Sequence, residues 1–172
     1  ISVIFRIFLS KSPTAFHAVE NYRQILNADG FKELLESEHW DIVPGGKYYV
    51  TRNNTSILAF KVGTKLDNYS FNIVTSHTDS PTFKVKENAE IEVKNKYTQL
   101  NTEGYGGMLC ATWLDRPLSI AGRVLVSEGN SIVTKLLNID RDLLMIPNVA
   151  IHMNRAANDG FKYNLQVDML PL

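Results

Sequence analysis

The sequence predicts an α/β fold followed by a mainly β stretch, and three observations lead to it. Apolar residues recur close to the helical period at Phe16, Val19, Tyr22, Ile25 and Leu26. An apolar run at Phe71, Ile73 and Val74 ends abruptly in His77-Thr-Asp79-Ser-Pro81, a buried strand running into a turn. Beyond Lys84, Val85, Ile91 and Val93 alternate with Lys86, Glu90, Glu92 and Lys94, the pattern of half-exposed antiparallel strands.

Each element follows in chain order. Residues 1–9 are apolar, but the run is too short to span a bilayer and Arg6 interrupts it. No small-residue cleavage site follows, so a packed amino-terminal helix is expected rather than a signal peptide. Ser12 and Pro13 mark a helix start, a capping hydroxyl followed by proline at the first helical position. Gly30 is the expected stop. Phe31 to Glu36 reads as a further short helix. Lys47 to Thr51 and Ser56 to Val62 read as strands joined by the hairpin signal Arg52-Asn-Asn-Thr. Phe71 to Thr75 is a third strand, which gives an α/β layer. Arg123 to Val126 and Ser131 to Leu136 flank Ser-Glu-Gly129-Asn130, another hairpin. The change of pattern places a domain boundary near Glu87, dividing the chain into 1–86 and 87–172. There is no internal repeat and no low-complexity linker.

Composition limits the function classes. Hydrophobic residues make up 44% and charged residues 21%, an ordinary soluble balance. Lys plus Arg equals Asp plus Glu at 18 each, so net charge gives no reason to expect nucleic acid or a membrane surface as partner. The single cysteine, Cys110, cannot form an internal disulfide and favours a reducing, cytoplasmic compartment. It is expected to be a small buried hydrophobe.

His77 and Asp79 carry the clearest chemistry. Residues i and i+2 of an extended chain project to one side, so both can face one pocket. A neutral imidazole is a good zinc ligand, and a nearby carboxylate fixes its tautomer and orientation. His152, in Ile-His-Met-Asn, sits at the end of an apolar run where a structural histidine is the ordinary reading. His17 lies on a helix face and is given no chemistry. Gly104-Tyr-Gly-Gly107 lacks the residues of a phosphate loop and reads as turn or close-packing glycines. Asp115 and Arg116 beside Trp113 read as an internal ion pair, since a buried charge needs a partner. Ser76, His77, Asp79 and Ser80 are adjacent, but serine triads are assembled in space, and no Gly-x-Ser-x-Gly elbow occurs.

Taken in order, Ser-His77-Thr-Asp79-Ser-Pro81, Asn101-Thr-Glu103-Gly-Tyr-Gly-Gly107, Thr112-Trp-Leu-Asp115-Arg116-Pro-Leu and Ile146-Pro-Asn-Val-Ala-Ile-His152-Met-Asn-Arg155 resemble the aspartyl aminopeptidase family of dinuclear zinc metallopeptidases. Ser12-Pro13-Thr-Ala-Phe-His17-Ala and Tyr48-Tyr-Val-Thr-Arg52-Asn-Asn54 are similar to its amino-terminal stretch. The resemblance implies a zinc-exopeptidase catalytic domain, truncated here, followed by a mainly β assembly and lid domain. It assigns metal ligation to His77 and catalytic duty to Asp79 and His152. In such a site Asp79 steadies the His77 ring from behind, and His152 reaches the active site of a neighbouring subunit to stabilise the tetrahedral intermediate. The implied reaction removes an amino-terminal residue, preferably Asp or Glu, from peptide substrates with two zinc ions per complete subunit. The implied assembly is a large homo-oligomer. The family's Glu-Glu pair has no counterpart here, and His17, His39 and His152 match none of its zinc ligands. The 172 residues therefore read as an amino-terminal portion, inactive alone. Two rivals stay open: a non-catalytic short product acting as an oligomerisation module, and a carboxypeptidase-like relative sharing the His-x-Asp segment.

Overall fold

The computed structural model describes residues 3–172. Ile1 and Ser2, part of the expected amino-terminal helix, lie outside the described residues. The chain is mixed α/β, as expected, and forms two compact units. The first comprises the chain up to Ser80 together with Ala121–Asn138; the second comprises Pro81–Ile120 and Ile139–Leu172.

In the first unit, helix α1 (Val3–Ser10) buries no residue, although its Phe8 ring lies 4.6 Å from Tyr22. Helix α2 (Ala15–Ala28) starts two residues later than the sequence predicts: Thr14, not Ser12, is the cap, and its hydroxyl accepts from the His17 amide. Ser12 is otherwise engaged, because its hydroxyl accepts from Asn21 Nδ2 at 3.0 Å. The helix stops at Gly30 as expected. Gly30 has φ +81° and donates to Asn27 O, while Phe31 donates to Leu26 O at 2.9 Å. These two bonds satisfy carbonyls that the helix end would leave orphaned.

The short helix expected over Phe31 to Glu36 is absent. Lys32–Glu33 instead forms strand β1, paired parallel to β2 (Lys47–Arg52) with Lys32 opposite Tyr48. Six residues are too few to nucleate a helix alone, and Glu33 is drawn to the sheet by Arg23 and the Tyr49 hydroxyl. Strand β3 (Ser56–Lys61) pairs antiparallel with β2 through the predicted hairpin, whose Asn53 and Asn54 both adopt positive φ. Ala18, Val19, Tyr48 and Tyr49 form the buried centre.

The third strand expected at Phe71 to Thr75 does not form. The sheet order is β1-β2-β3, with no fourth strand among the described residues. Phe71 and Ile73 are each 78% exposed and Val74 97%. A strand needs a neighbour to satisfy its backbone donors and acceptors, and none of the described residues pairs with this segment.

The second unit is built on the long pair β4 (Thr82–Val93) and β5 (Tyr97–Tyr105), with an irregularity between Val85 and Glu90. A 3-10 turn (Cys110–Trp113) follows, and isolated bridges join Leu114 to Ile146 and Leu118 to Leu144. Ile146, Met169 and Leu170 are its buried hydrophobes. Leu172 and Met145 exchange backbone bonds at 2.8 and 2.9 Å. The glycines act as turn and packing residues: Gly106 has φ +75°, and a Cβ at Gly104 would lie 2.7 Å from Leu165 Cδ1. Cys110 is half-buried rather than buried. Asp115 and Arg116 are exposed and form no internal pair with each other: Asp115 accepts from the Asn148 amide at 2.9 Å, and Arg116 donates to Thr112 O.

Strands β6 (Ala121–Glu128) and β7 (Ser131–Asn138) make the predicted hairpin around Gly129, at φ +61°. The sequence groups this hairpin with residues 87–172; by contacts it belongs with the first unit. A boundary after Lys86 also falls inside β4.

Candidate metal centre

The chain bends at Thr78, and the side chains on either side of the bend meet. His77 Nδ1 lies 2.9 Å from Asp79 Oδ1. An ionised carboxylate can only accept, so Nδ1 carries the proton, and in the neutral ring Nε2 then holds the free lone pair. That is the tautomer a metal-ligating histidine needs, with a carboxylate behind the ring raising its basicity. The His77 side chain is 89% exposed and that of Asp79 36%. The donor set thus fits one imidazole ligand and its orienting carboxylate. Among the described residues no three His, Cys, Asp or Glu side chains converge where a metal ion could be held.

The structure ties this stretch to the first unit through its middle residue. Thr78 Oγ1 donates to Thr55 O at 2.7 Å across 23 residues of sequence. Sequence reasoning passed over Thr78, because a contact between a hydroxyl and a distant backbone carbonyl leaves no spacing signal.

His152 belongs to the second unit, on an exposed turn. His17 is half-buried near the start of α2, its Nδ1 2.8 Å from Thr14 Oγ1, and burial lowers its pKa below the usual 6.5. His39 lies 3.7 Å from Asp41 with both side chains nearly fully exposed. Elsewhere in the first unit charges pair structurally. The Glu33 carboxylate, bonded at 2.8 Å, raises the Arg23 pKa, and the Arg52 guanidinium hydrogen-bonded to Glu36 lowers that carboxyl.

Comparison with known proteins places this chain in a family. Residues 8–172 match the family model described as "Aminopeptidase I zinc metalloprotease (M18)". A probable M18 family aminopeptidase 2 of Clostridium novyi is 50% identical over 168 residues, covering 96% of this chain and 39% of that protein. An aspartyl aminopeptidase of Dictyostelium discoideum is 46% identical, covering 98% of this chain and 35% of that protein. The chain thus spans well under half the length of these curated relatives. Among solved structures, an Ape4 and Nbr1 complex matches with TM-score 0.93 and 41% identity over 99% of this chain and 33% of that one. An mApe1 dodecamer of S. cerevesiae matches with TM-score 0.76 and 28% identity over 95% of this chain and 36% of that one. The chain belongs to the M18 family of aminopeptidase I zinc metalloproteases.

Proposed function

We propose that this chain is the amino-terminal portion of a zinc metallo-aminopeptidase that removes the first residue of peptides. In this reading the division expected at residues 1–86 and 87–172 shifts to the two compact units: the first unit belongs to the catalytic domain and the second to a domain of assembly and access control. The observation that carries the proposal is the His77–Asp79 pair, 2.9 Å apart, in a chain whose family is one of zinc metalloproteases.

His77 supplies one ligand through Nε2. Asp79 holds the Nδ1 proton, which fixes the ring and strengthens the donor. Zinc, when bound, polarises the scissile carbonyl and lowers the pKa of water; two ions per complete subunit are proposed. The remaining ligands come from parts of the enzyme outside these residues. His152 acts at the reaction centre of a neighbouring subunit, where an N–H donor aimed at developing negative charge stabilises the transition state. Similarity to the mApe1 dodecamer supports a closed homo-oligomer. The match to an aspartyl aminopeptidase supports Asp or Glu as the preferred first residue of the substrate.

The test is a complementation experiment in the intact enzyme. His77→Ala is expected to lose zinc and activity together, and His152→Ala to lose activity while keeping zinc. Mixed assemblies of the two are expected to regain activity, because an intact metal site and an intact His152 then meet across subunits. Retention of full zinc by His77→Ala overturns the ligand assignment. Failure of proven mixed assemblies to regain activity overturns the role of His152. Intact mass and metal content of protein from its native source decide against the rival module: a mass near 19.4 kDa with no zinc would favour it.

A further inference from the structure

We infer that Thr78 is a positioning residue for the metal site, and that the Asn53–Asn54 turn is its anchor. The inference rests on the reading of His77 as a zinc ligand. Thr78 lies between the two residues of the His77–Asp79 pair, at the bend that lets them meet. It is half-buried while His77 is exposed, so its bond to Thr55 O is better screened from competing water than the pair it serves.

The acceptor is itself held. Thr55 closes the β2–β3 turn by donating to Arg52 O at 3.1 Å. Asn53 and Asn54 sit at φ +51° and +53°, a conformation that asparagine tolerates and most side chains resist. Arg123 on β6 donates through Nη1 to Asn53 O at 3.1 Å and to Asn53 Oδ1 at 3.2 Å. The same guanidinium lies 4.4 Å from the Phe16 ring centroid, over the start of α2. A continuous series of contacts thus runs from Phe16 through Arg123 and the Asn53–Asn54 turn to Thr55, Thr78 and the His77–Asp79 pair. All of these residues belong to the first unit.

A ligand whose outer contacts are loosened binds its metal more weakly, typically by about 10- to 100-fold. Thr78 acts one step further out, through the backbone of its neighbours, so the low end applies.

The experiment uses the intact enzyme and measures zinc affinity by competition with a chelator, alongside the visible spectrum of the cobalt-substituted protein. Thr78→Val keeps shape but removes the donor; it is expected to weaken zinc binding about tenfold and to alter the cobalt bands. Thr78→Ser restores the hydroxyl and is expected to return both towards wild type. Arg123→Met, at a half-buried position on the β6–β7 hairpin, is expected to weaken zinc binding in the same direction by about threefold. Wild-type affinity in Thr78→Val overturns the inference, as does a serine variant no better than valine. If Thr78→Val fails to assemble, Arg123→Met decides, and unchanged affinity there overturns it. His77→Ala separates the two claims. Lost affinity there with an unchanged Thr78→Val overturns the Thr78 role alone, whereas unchanged affinity in His77→Ala overturns both.

Discussion

At the residue scale, Asp79 and His17 make opposite uses of one neighbouring group. Asp79 fixes which nitrogen of His77 is protonated, so Asp79→Asn, which can present its amide N–H to the ring instead, is expected to lower zinc affinity by about 10- to 100-fold in the intact enzyme. Equilibrium competition with a chelator checks it. His17 is held by Thr14 and kept uncharged by burial, with its pKa below 6.5. The unfolded chain therefore binds a proton near pH 6.5 that the folded chain refuses. Stability is full above that value and falls as pH drops through the window between 6.5 and the lowered folded pKa. His17→Gln is expected to flatten the denaturation midpoint across this window, and urea melts at pH 7.5, 6 and 5 read it. The His77–Asp79 pairing was legible in sequence, because a two-residue spacing is local. The tie from Thr78 to Thr55 was not, because nothing in either residue type names the other.

At the element scale, the parts readable from sequence are those whose cause is short-range. The α2 stop at Gly30 and the turns at Asn53–Asn54 and Gly129 each depend on one or two residues taking positive φ. Gly30 meets nothing within 4 Å of a would-be Cβ, so Gly30→Ala tests backbone strain alone. It is expected to cost about 1 kcal/mol, the left-handed penalty of an L-residue, read as a shift in thermal midpoint. The misread elements needed distant partners. Phe31 to Glu36 carries helix-compatible residues, yet the nearby edge of β2 claims Lys32 and Glu33. Phe71 to Thr75 carries strand residues, yet no described strand lies beside it. Residue type sets what a segment can do, and the neighbour decides whether it does.

At the scale of the whole molecule, the apolar surface of this chain is large. Phe71, Ile73 and Val74 are joined by Val3, Ile4, Leu109 and Met153, each more than 70% exposed. Full burial of one such side chain is worth about 1.5–3 kcal/mol, so these positions forgo much of what a packed domain gains. The 172-residue chain by itself is expected to bind an apolar fluorescent dye strongly. Val74→Ser is expected to leave its stability within about 0.5 kcal/mol, since Val74 packs against almost nothing. A clear destabilisation, read by chemical melts, would show that Val74 is covered in solution.

The two units are also interleaved along the chain, and this has a consequence in time. The first unit opens with the residues up to Ser80 and resumes only at Ala121–Asn138; the residues between belong to the second. A ribosome adding roughly 5–20 residues per second needs on the order of 2–8 s to make the intervening stretch. For that interval the Asn53–Asn54 turn waits without Arg123, and the nascent first unit must be kept from wrong partners until the β6–β7 hairpin emerges.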